Sequence, residues 1–217
     1  MNMVDLLLRS LAVATTATIL VVVTGVPCAR WLARRRERWA DAVSTVVMLP
    51  MLLPPTVLGY LLLLGIGRSS LVGRAWEVAT GGSLVFTPAA AVLAAAISAF
   101  PFMFRAVQAG FEQVDPQLED IARTLGRTEW EVFREVSVPL AWRSVVGGTA
   151  LAFARAMGEF GATVMVAGNI PGRTQTASLA VYDAVQAGRG GDAALLTVLL
   201  SGLAGSVLYM VTRSGAR

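Results

Sequence analysis

The sequence predicts an all-α integral membrane protein that forms a single domain over residues 1–217. Hydrophobic residues make up 55% of the chain, charged residues make up 15%, and the mean hydropathy is +0.65. This composition is too apolar for an ordinary soluble domain. The chain also contains apolar runs close to the roughly 20 residues that a helix needs to cross a bilayer. We therefore predict five membrane spans, at about residues 10–28, 42–66, 88–104, 144–166 and 193–212.

The residue types that the chain lacks exclude several kinds of site. Every basic residue is Arg, because the sequence contains no Lys and no His. A Walker A lysine, a Schiff base, a Ser–His–Asp triad and a His metal site are therefore excluded. The single cysteine, Cys28, excludes an intramolecular disulfide and a CxxC pair. We predict no catalytic residue, no metal and no cofactor in this chain.

The first run is predicted to remain as a helix. Its length, together with Asp5 before it, argues against a cleaved signal peptide. An arginine-rich stretch, ARWLARRRERW, follows the run. We interpret this stretch as an orientation signal whose arginines contact lipid phosphates.

The second run contains three prolines, which remove backbone donors and bend a membrane helix. Pro50, Pro54 and Pro55 therefore predict a kink in the second span. The third run is rich in Ala, and its helix is predicted to continue past Arg105 towards Val114.

The fourth run carries a ridge of small residues at four-residue spacing, Ala150, Ala154 and Gly158, which predicts close packing against another helix. Residues 168–192 are predicted to form a loop outside the membrane with a short helix near residues 176–187. We expect Asp192 to cap the helix of the last run.

The arginines indicate the orientation of the chain. Assigning alternate loops to opposite sides leaves five arginines on one side and a larger set on the other. The positive-inside rule then places the amino terminus outside, and residues 115–140 and the carboxyl terminus in the cytoplasm. Topology explains the sequence pI of about 10.2 better than nucleic-acid binding does, because the arginines flank apolar runs. The larger set comprises Arg30, Arg34, Arg35, Arg36, Arg38, Arg105, Arg123, Arg127, Arg134, Arg143, Arg213 and Arg217.

A charged segment at residues 115–140 lies between two apolar runs and reads as two short helices joined by a glycine. Asp115 can cap the first helix with Pro116 at its first position. Gly126 stands where a helix ends in a left-handed residue. Thr128 and Glu131 have the spacing of a capping box that starts the second helix. Pro139 marks the end of that helix.

The first helix of this segment is predicted to be amphipathic. Leu118, Ile121, Ala122 and Leu125 recur at helical spacing on one face. A narrow apolar face that emerges from a membrane has buried nothing yet, so it predicts a partner surface.

The spacing of the segment resembles the cytoplasmic coupling loop of ABC-importer permeases, EAA-x3-G-x9-I-x-LP. Gly126 falls on the glycine of that pattern. Asp120, Ile121 and Ala122 occupy the first three positions, with Asp in place of Glu and Ile in place of Ala. Val136 and Pro139 occupy the closing positions. The resemblance implies that these residues couple the chain to an ATPase.

Two further stretches are similar to molybdate permeases, namely residues 152–176, AFARAMGEFGATVMVAGNIPGRTQT, and residues 48–63, MLPMLLPPTVLGYLLL. The resemblance implies a type I ABC importer permease in a bacterial or archaeal cytoplasmic membrane. Its expected partners are a second copy of itself, a cytoplasmic ABC ATPase, an extracytoplasmic oxyanion-binding protein and membrane lipid. The expected substrate is molybdate, with tungstate or sulfate as alternatives. ATP hydrolysis is expected in the separate ATPase chain.

Arg155 and Glu159 are the charges that fall inside a predicted span, and their four-residue spacing allows them to pair. They are candidates either for a pathway or gate position that meets an oxyanion, or for a structural ion pair. Gly158 and Gly161 flank Glu159 and Phe160. They could loosen the helix and expose backbone groups to a passing ion, or they could allow close helix packing.

The loop after the fourth run offers polar donors outside the membrane. Asn169, Gly172 and Arg173 are candidates for docking a binding protein, and a solvated turn is the alternative. A secondary transporter that needs no ATPase is the rival function. The sequence shows no internal repeat and no chain of ionisable residues for a coupling ion, which disfavours it.

Overall fold

The computed structural model describes residues 3–35 and 37–215, with Arg36 and Arg217 of the topology count outside that range. Within these ranges the regular elements are all helices. The elements are α1 (Met3–Ala33), α2 (Arg38–Leu52), α3 (Pro55–Ile66), α4 (Leu71–Thr80), α5 (Pro88–Glu112), α6 (Pro116–Thr124), α7 (Glu129–Val132), a π-helical turn (Phe133–Ser137), α8 (Val138–Leu140), α9 (Trp142–Met157), α10 (Gly161–Ala167), α11 (Ala177–Gln186) and α12 (Gly190–Gly215).

The main apolar core lies where α1, α5 and α9 pack together. Small side chains such as Ala17, Ala99 and Ala152 are fully buried there. They let the helix axes approach closely, and Met103 and Phe104 fill the remaining space. A second core joins α3, α5 and α10.

The second run is bent much more sharply than a kink. The helix direction changes by 114° between α2 and α3. Pro54 and Pro55 lie at the bend and lack the N–H groups that would continue the helix of α2. The sequence predicted a kink at these prolines, whereas the structure has a complete break between two helices.

The sequence predicted one span over residues 144–166, but the structure has two helices there. α9 ends at Met157 and α10 begins at Gly161. Among the residues that the structure describes, three helices, α1, α5 and α12, are each long and apolar enough to cross a membrane. The number rises to five if each bent pair counts as one span: α2 with α3, and residues 129–140 with α9, which meet at 78°. The count of five remains a prediction.

Other elements follow the sequence closely. The third helix continues to Glu112, and α11 is the short helix predicted near residues 176–187. Asp192 lies in the first turn of α12 and does not cap it, because that helix already begins at Gly190. α4, whose N-cap is Ser70, was not predicted from the sequence.

The two ends of α1 contact different parts of the chain. Arg30 and Arg34, near its carboxyl end, pair with Glu119. Near its amino end, the Ser10 hydroxyl accepts a hydrogen bond from the backbone N–H of Ala177, 2.7 Å away. Residues 115–140 and α11 therefore lie at opposite ends of α1.

Candidate functional site

The coupling segment, residues 115–140, has the local structure that the sequence predicts. The Asp115 carboxylate accepts a hydrogen bond from the N–H of Gln117 at 2.9 Å and so caps α6. Gly126 has a φ of 81°, the left-handed conformation that ends a helix without strain only in glycine. Thr128 and Glu131 form a complete capping box at the start of α7.

The outer face of α6 carries an apolar stripe. Leu118 is 44% exposed, Ile121 55% and Leu125 77%. The sequence predicted that Ala122 shares this face, and that prediction was wrong. Ala122 is only 9% exposed and lies on the inward face with Glu119. The stripe formed by Leu118, Ile121 and Leu125 is therefore the part of α6 that is free to meet another protein.

A π-helical turn follows α7 and ends beside Pro139. The N–H of Val138 bonds to the carbonyl of Phe133, and Pro139 has no N–H to offer to the preceding turn. The short α8 ends one residue later, at Leu140, so the predicted end at Pro139 is confirmed to within one residue. Val136 is half-buried, whereas Pro139 is exposed.

Glu119 is the buried carboxylate of the coupling segment, and it was not predicted from the sequence. Its Oε1 atom lies 2.8 Å from Nη2 of Arg34 and 3.3 Å from Nη2 of Arg30. It also accepts a hydrogen bond from the Ser137 hydroxyl at 2.6 Å. Burial alone would raise the pKa of Glu119, but the hydrogen bonds from Arg34 and Ser137 and the charges of Arg30 and Arg34 lower it below its ordinary value.

The sequence did carry a signal for this contact. Arg30 lies in the last turn of α1, and Arg34, four residues later, directly follows the end of that helix at Ala33. Glu119 lies three residues before Ala122, on the side of α6 away from Ile121. The EAA pattern drew attention to Asp120 instead, whose carboxylate is exposed and pairs with Arg123 at 2.7 Å.

Arg123 joins the two helices of the coupling segment across Gly126. Its Nε atom lies 2.6 Å from Oε1 of Glu129. The hydrogen bond to Glu129 raises the pKa of Arg123, and the same bond lowers the pKa of Glu129. These side chains are exposed, so the pair orients α7 against α6 and adds little stability.

Arg155 and Glu159 form the predicted ion pair. Nη2 of Arg155 lies 2.6 Å from Oε2 of Glu159. The other carboxylate oxygen of Glu159 accepts the N–H of Ala162 at 2.8 Å and so holds the start of α10. The backbone carbonyl of Glu159 accepts a hydrogen bond from Ser178 at 2.8 Å. Glu159 therefore connects α9, α10 and α11, while the Arg155 side chain stays 30% exposed.

The two glycines beside Glu159 have different environments. A side chain at Gly161 would collide with Pro55, so this glycine allows α10 to pack against α3. Gly158 has only the Ala154 carbonyl within 4 Å of the position that a Cβ would take, at 3.8 Å. Close packing therefore accounts for Gly161 and not for Gly158.

The loop at residues 168–176 is held from within by Asp183 of α11. The Asp183 carboxylate accepts hydrogen bonds from Asn169 at 2.8 Å and from Gln175 at 2.7 Å. Asn169 therefore supports the loop and does not point outward as a free donor. Gly172, at a φ of 79°, and Arg173 form an exposed tip.

In the part of the chain that the structure describes, no group of three or more His, Cys, Asp or Glu side chains is placed to hold a metal ion. Cys28 is unpaired and partly buried.

Comparison with known proteins agrees with this arrangement. The sequence model of the family described as "Binding-protein-dependent transport system inner membrane component" matches residues 25–214. The molybdenum transport system permease protein ModB of Escherichia coli K12 is 40% identical over 194 residues, which cover 89% of this chain and 85% of that protein. ModB of Azotobacter vinelandii is 39% identical over 178 residues, 82% of this chain and 79% of that protein.

Among solved structures, a chain of the MetNI methionine ABC transporter in inward-facing conformations superposes with a TM-score of 0.74 at 19% identity, covering 99% of this chain and 94% of that chain. This likeness shows the fold. Together with the match over residues 25–214, it places the chain in the family of inner-membrane components of binding-protein-dependent transport systems.

Proposed function

We propose that this chain is the membrane-spanning permease subunit of an ABC importer for molybdate. The observation that carries the proposal is the exposed apolar stripe on α6, held in place by caps at Asp115, Gly126 and Thr128. The substrate follows from the ModB relatives, which are named for molybdenum transport. The subunit is not itself an enzyme, since such permeases work with an ATPase in a separate chain.

The coupling segment docks in a groove of that ATPase. Leu118, Ile121 and Leu125 supply apolar contact area, in the manner of an amphipathic helix lying in a groove. The ion pair of Arg123 with Glu129 orients α7 against α6 before docking, which lowers the ordering cost of binding. Asp120, Val136 and Pro139 complete this surface by the spacing of the motif.

The orientation is amino terminus outside and carboxyl terminus in the cytoplasm. It is supported by the arginine asymmetry and by the position of the coupling segment at the carboxyl end of α1. The tip of the loop at residues 168–176 then faces the extracytoplasmic side. Gly172 and Arg173 there meet the binding protein, and Arg173 selects an acidic patch on it.

The pathway forms between two copies of the chain, and Arg155 lines it. The guanidinium is 30% exposed while its partner Glu159 is 2% exposed. A paired arginine attracts an oxyanion only weakly, which suits passage, because cargo bound tightly midway would leave slowly. Gly158 lies beside this ion pair and has little packed against it, so it leaves room for movement at the break between α9 and α10.

The test is oxyanion uptake into proteoliposomes that contain this chain with its ATPase and its binding protein. We expect ATP-dependent molybdate uptake that competing tungstate reduces more than sulfate does. Stimulation of the ATPase by sulfate-loaded and not by molybdate-loaded binding protein would contradict the substrate. Uptake by this chain without the ATPase would favour a secondary transporter instead.

A further inference from the structure

The contacts of Glu119 form a closed network between the coupling segment and α1. Nε of Arg30 donates to the Ser137 hydroxyl at 3.0 Å, and that hydroxyl donates to Glu119. Nη1 of Arg34 also donates to the carbonyl of Val114 at 3.1 Å, just before the segment begins. One carboxylate thus ties both halves of the segment to the same helix.

Because the network is buried, it resists separation of the coupling segment from α1. The Glu119 side chain is 2% exposed, and the side chains of Arg30 and Arg34 are 13% and 20% exposed. Moving the segment away from α1 would separate the Glu119 carboxylate from Arg30 and Arg34 and leave it only the longer contact with Arg123 of its own helix, at 3.8 Å. Breaking a buried ion pair is strongly unfavourable. The pairs of Arg123 with Asp120 and Glu129 are exposed by contrast, and they stay within the segment.

The helix that carries Arg30, and that ends one residue before Arg34, reaches the opposite end of the molecule. α1 is helical over 31 residues and contains Pro27 near its carboxyl end, and it corresponds to a length of roughly 46 Å. At its amino end Ser10 is hydrogen-bonded to Ala177 at the start of α11, and Leu6 packs with Ala180 of the same helix. α11 also carries Asp183, which accepts hydrogen bonds from the loop at residues 168–176, called the external loop below.

We propose that Glu119 is a positioning residue that makes α1 move together with the coupling segment, so that a displacement driven by the ATPase reaches the external loop through α1. The carboxylate then determines how tightly ATP hydrolysis is linked to delivery by the binding protein. This inference rests on the proposed docking of the coupling segment on an ATPase. It adds a route by which that docking acts at the other face of the membrane.

Glu119→Gln tests the link, because glutamine keeps the size and an acceptor for Ser137 but removes the charge that faces Arg30 and Arg34. The variant is measured in proteoliposomes with the ATPase and the binding protein. We expect the complex to assemble, and its ATPase activity without binding protein serves as the reference for each variant. The molybdate transported per ATP hydrolysed, and the stimulation by loaded binding protein, should each fall about tenfold. Asp41→Asn, which neutralises an exposed carboxylate at the same end of the molecule, is the matched control.

A distance measurement separates movement from mere stability. Spin labels are placed at Val23→Cys on α1 and Gln117→Cys on α6, in a Cys28→Ala background and in one permease copy of each complex. With Glu119 present, the distance between the labels should be the same with and without a non-hydrolysable ATP analogue. In Glu119→Gln it should broaden or shift when the analogue binds. A distance that changes with nucleotide while Glu119 is present would overturn the proposal.

The remaining outcomes also decide. Wild-type stimulation and stoichiometry in an assembled Glu119→Gln complex would overturn the inference. If that variant does not assemble, Ser137→Ala and Arg34→Lys replace it. Ser137→Ala leaves both arginines beside the Glu119 carboxylate, and Arg34→Lys keeps the positive charge at that position. A graded loss of stimulation in both supports the link, and full stimulation in both refutes it. Failure of the docking proposal looks different, because the unmodified chain would then not retain the ATPase at all.

Discussion

Glu159 holds the guanidinium of Arg155 at 2.6 Å with one carboxylate oxygen and the first turn of α10 with the other. The pair therefore joins two helices that the sequence predicts as one continuous span. Because Glu159 serves two elements and Arg155 serves one, the two residues should respond differently to substitution.

Glu159→Ala should impair assembly, because it leaves Arg155 unpaired and α10 without its cap. Removing one partner of a buried pair costs about 3–5 kcal/mol. Glu159→Gln keeps an acceptor for the N–H of Ala162 and should recover part of the expression. Expression level and thermal stability of the purified complex measure this difference.

The double variant Arg155→Ala with Glu159→Gln separates a pathway role from a structural one. If Arg155 meets the oxyanion, the double variant should assemble and still fail to transport. If the pair is purely structural, uptake should return together with assembly. Normal uptake with Arg155→Ala alone would dismiss both roles.

Sequence patterns predicted the local structure of the coupling segment well, because its caps depend on neighbours in the chain. Asp115, Gly126, Thr128 and Glu131 all take the predicted geometry. The position of Ala122 could not be predicted in the same way. Helical spacing shows which residues share a face, but not where the rest of the chain covers that face, and α6 turns Ala122 inward beside Glu119.

The bends were harder to predict than the runs. Proline and glycine marked the places where a helix weakens, at Pro54 and at Gly158, but not whether a kink or a complete break results. That outcome depends on long-range contacts, such as Ser178 bonding to the Glu159 carbonyl and Gly161 packing on Pro55. A local sequence pattern does not show these long-range contacts.

Gly126→Val should weaken binding of the ATPase by disturbing the turn between α6 and α7. Gly126 has a φ of 81° and no atom near the position of a Cβ, so backbone strain alone is at issue. A β-branched residue there costs about 1–2 kcal/mol. Gly126→Asn is the matched control, since asparagine tolerates the left-handed region, and it should retain most of the ATPase in co-purification. Equal retention by both variants would refute a requirement for this turn.

Leu125→Glu should abolish ATPase binding and leave the permease folded, because Leu125 is 77% exposed. Ala122→Glu should instead destabilise the permease itself, since it places a charge against the inward face beside Glu119. Thr124→Glu, a charge added on α6 outside the apolar stripe, is the control for Leu125→Glu and should keep the ATPase. Co-purification and the melting temperature of the permease distinguish the two effects. A stable Ala122→Glu chain that merely loses the ATPase would return Ala122 to the docking surface.

Cysteine labelling tests the proposed orientation. Cysteines placed near Gly73 and Gly188, at the exposed neighbours Val72 and Ala187, should react with a membrane-impermeant reagent in intact cells of a Cys28→Ala background. A cysteine at Arg127, in the coupling segment, should react only after permeabilisation. Labelling at position 127 from outside would place the segment away from any cytoplasmic ATPase and end the docking argument.

Two properties of the external loop can be tested separately, namely its support by α11 and the contact of its tip with the binding protein. Asp183→Ala removes the acceptor shared by Asn169 and Gln175, and each hydrogen bond lost costs about 1 kcal/mol. The loop should then loosen, and stimulation of the ATPase by loaded binding protein should fall while basal activity stays unchanged. Arg173→Glu leaves these hydrogen bonds in place and reverses the charge at the exposed tip. It should therefore slow association with the binding protein and make the remaining affinity less sensitive to salt. Arg74→Glu, an exposed arginine of α4 at the same side, controls for a general loss of positive charge. Binding kinetics that Arg173→Glu and Arg74→Glu change equally would show that the tip makes no specific contact, and unaltered stimulation in Asp183→Ala would show that the loop needs no support from α11.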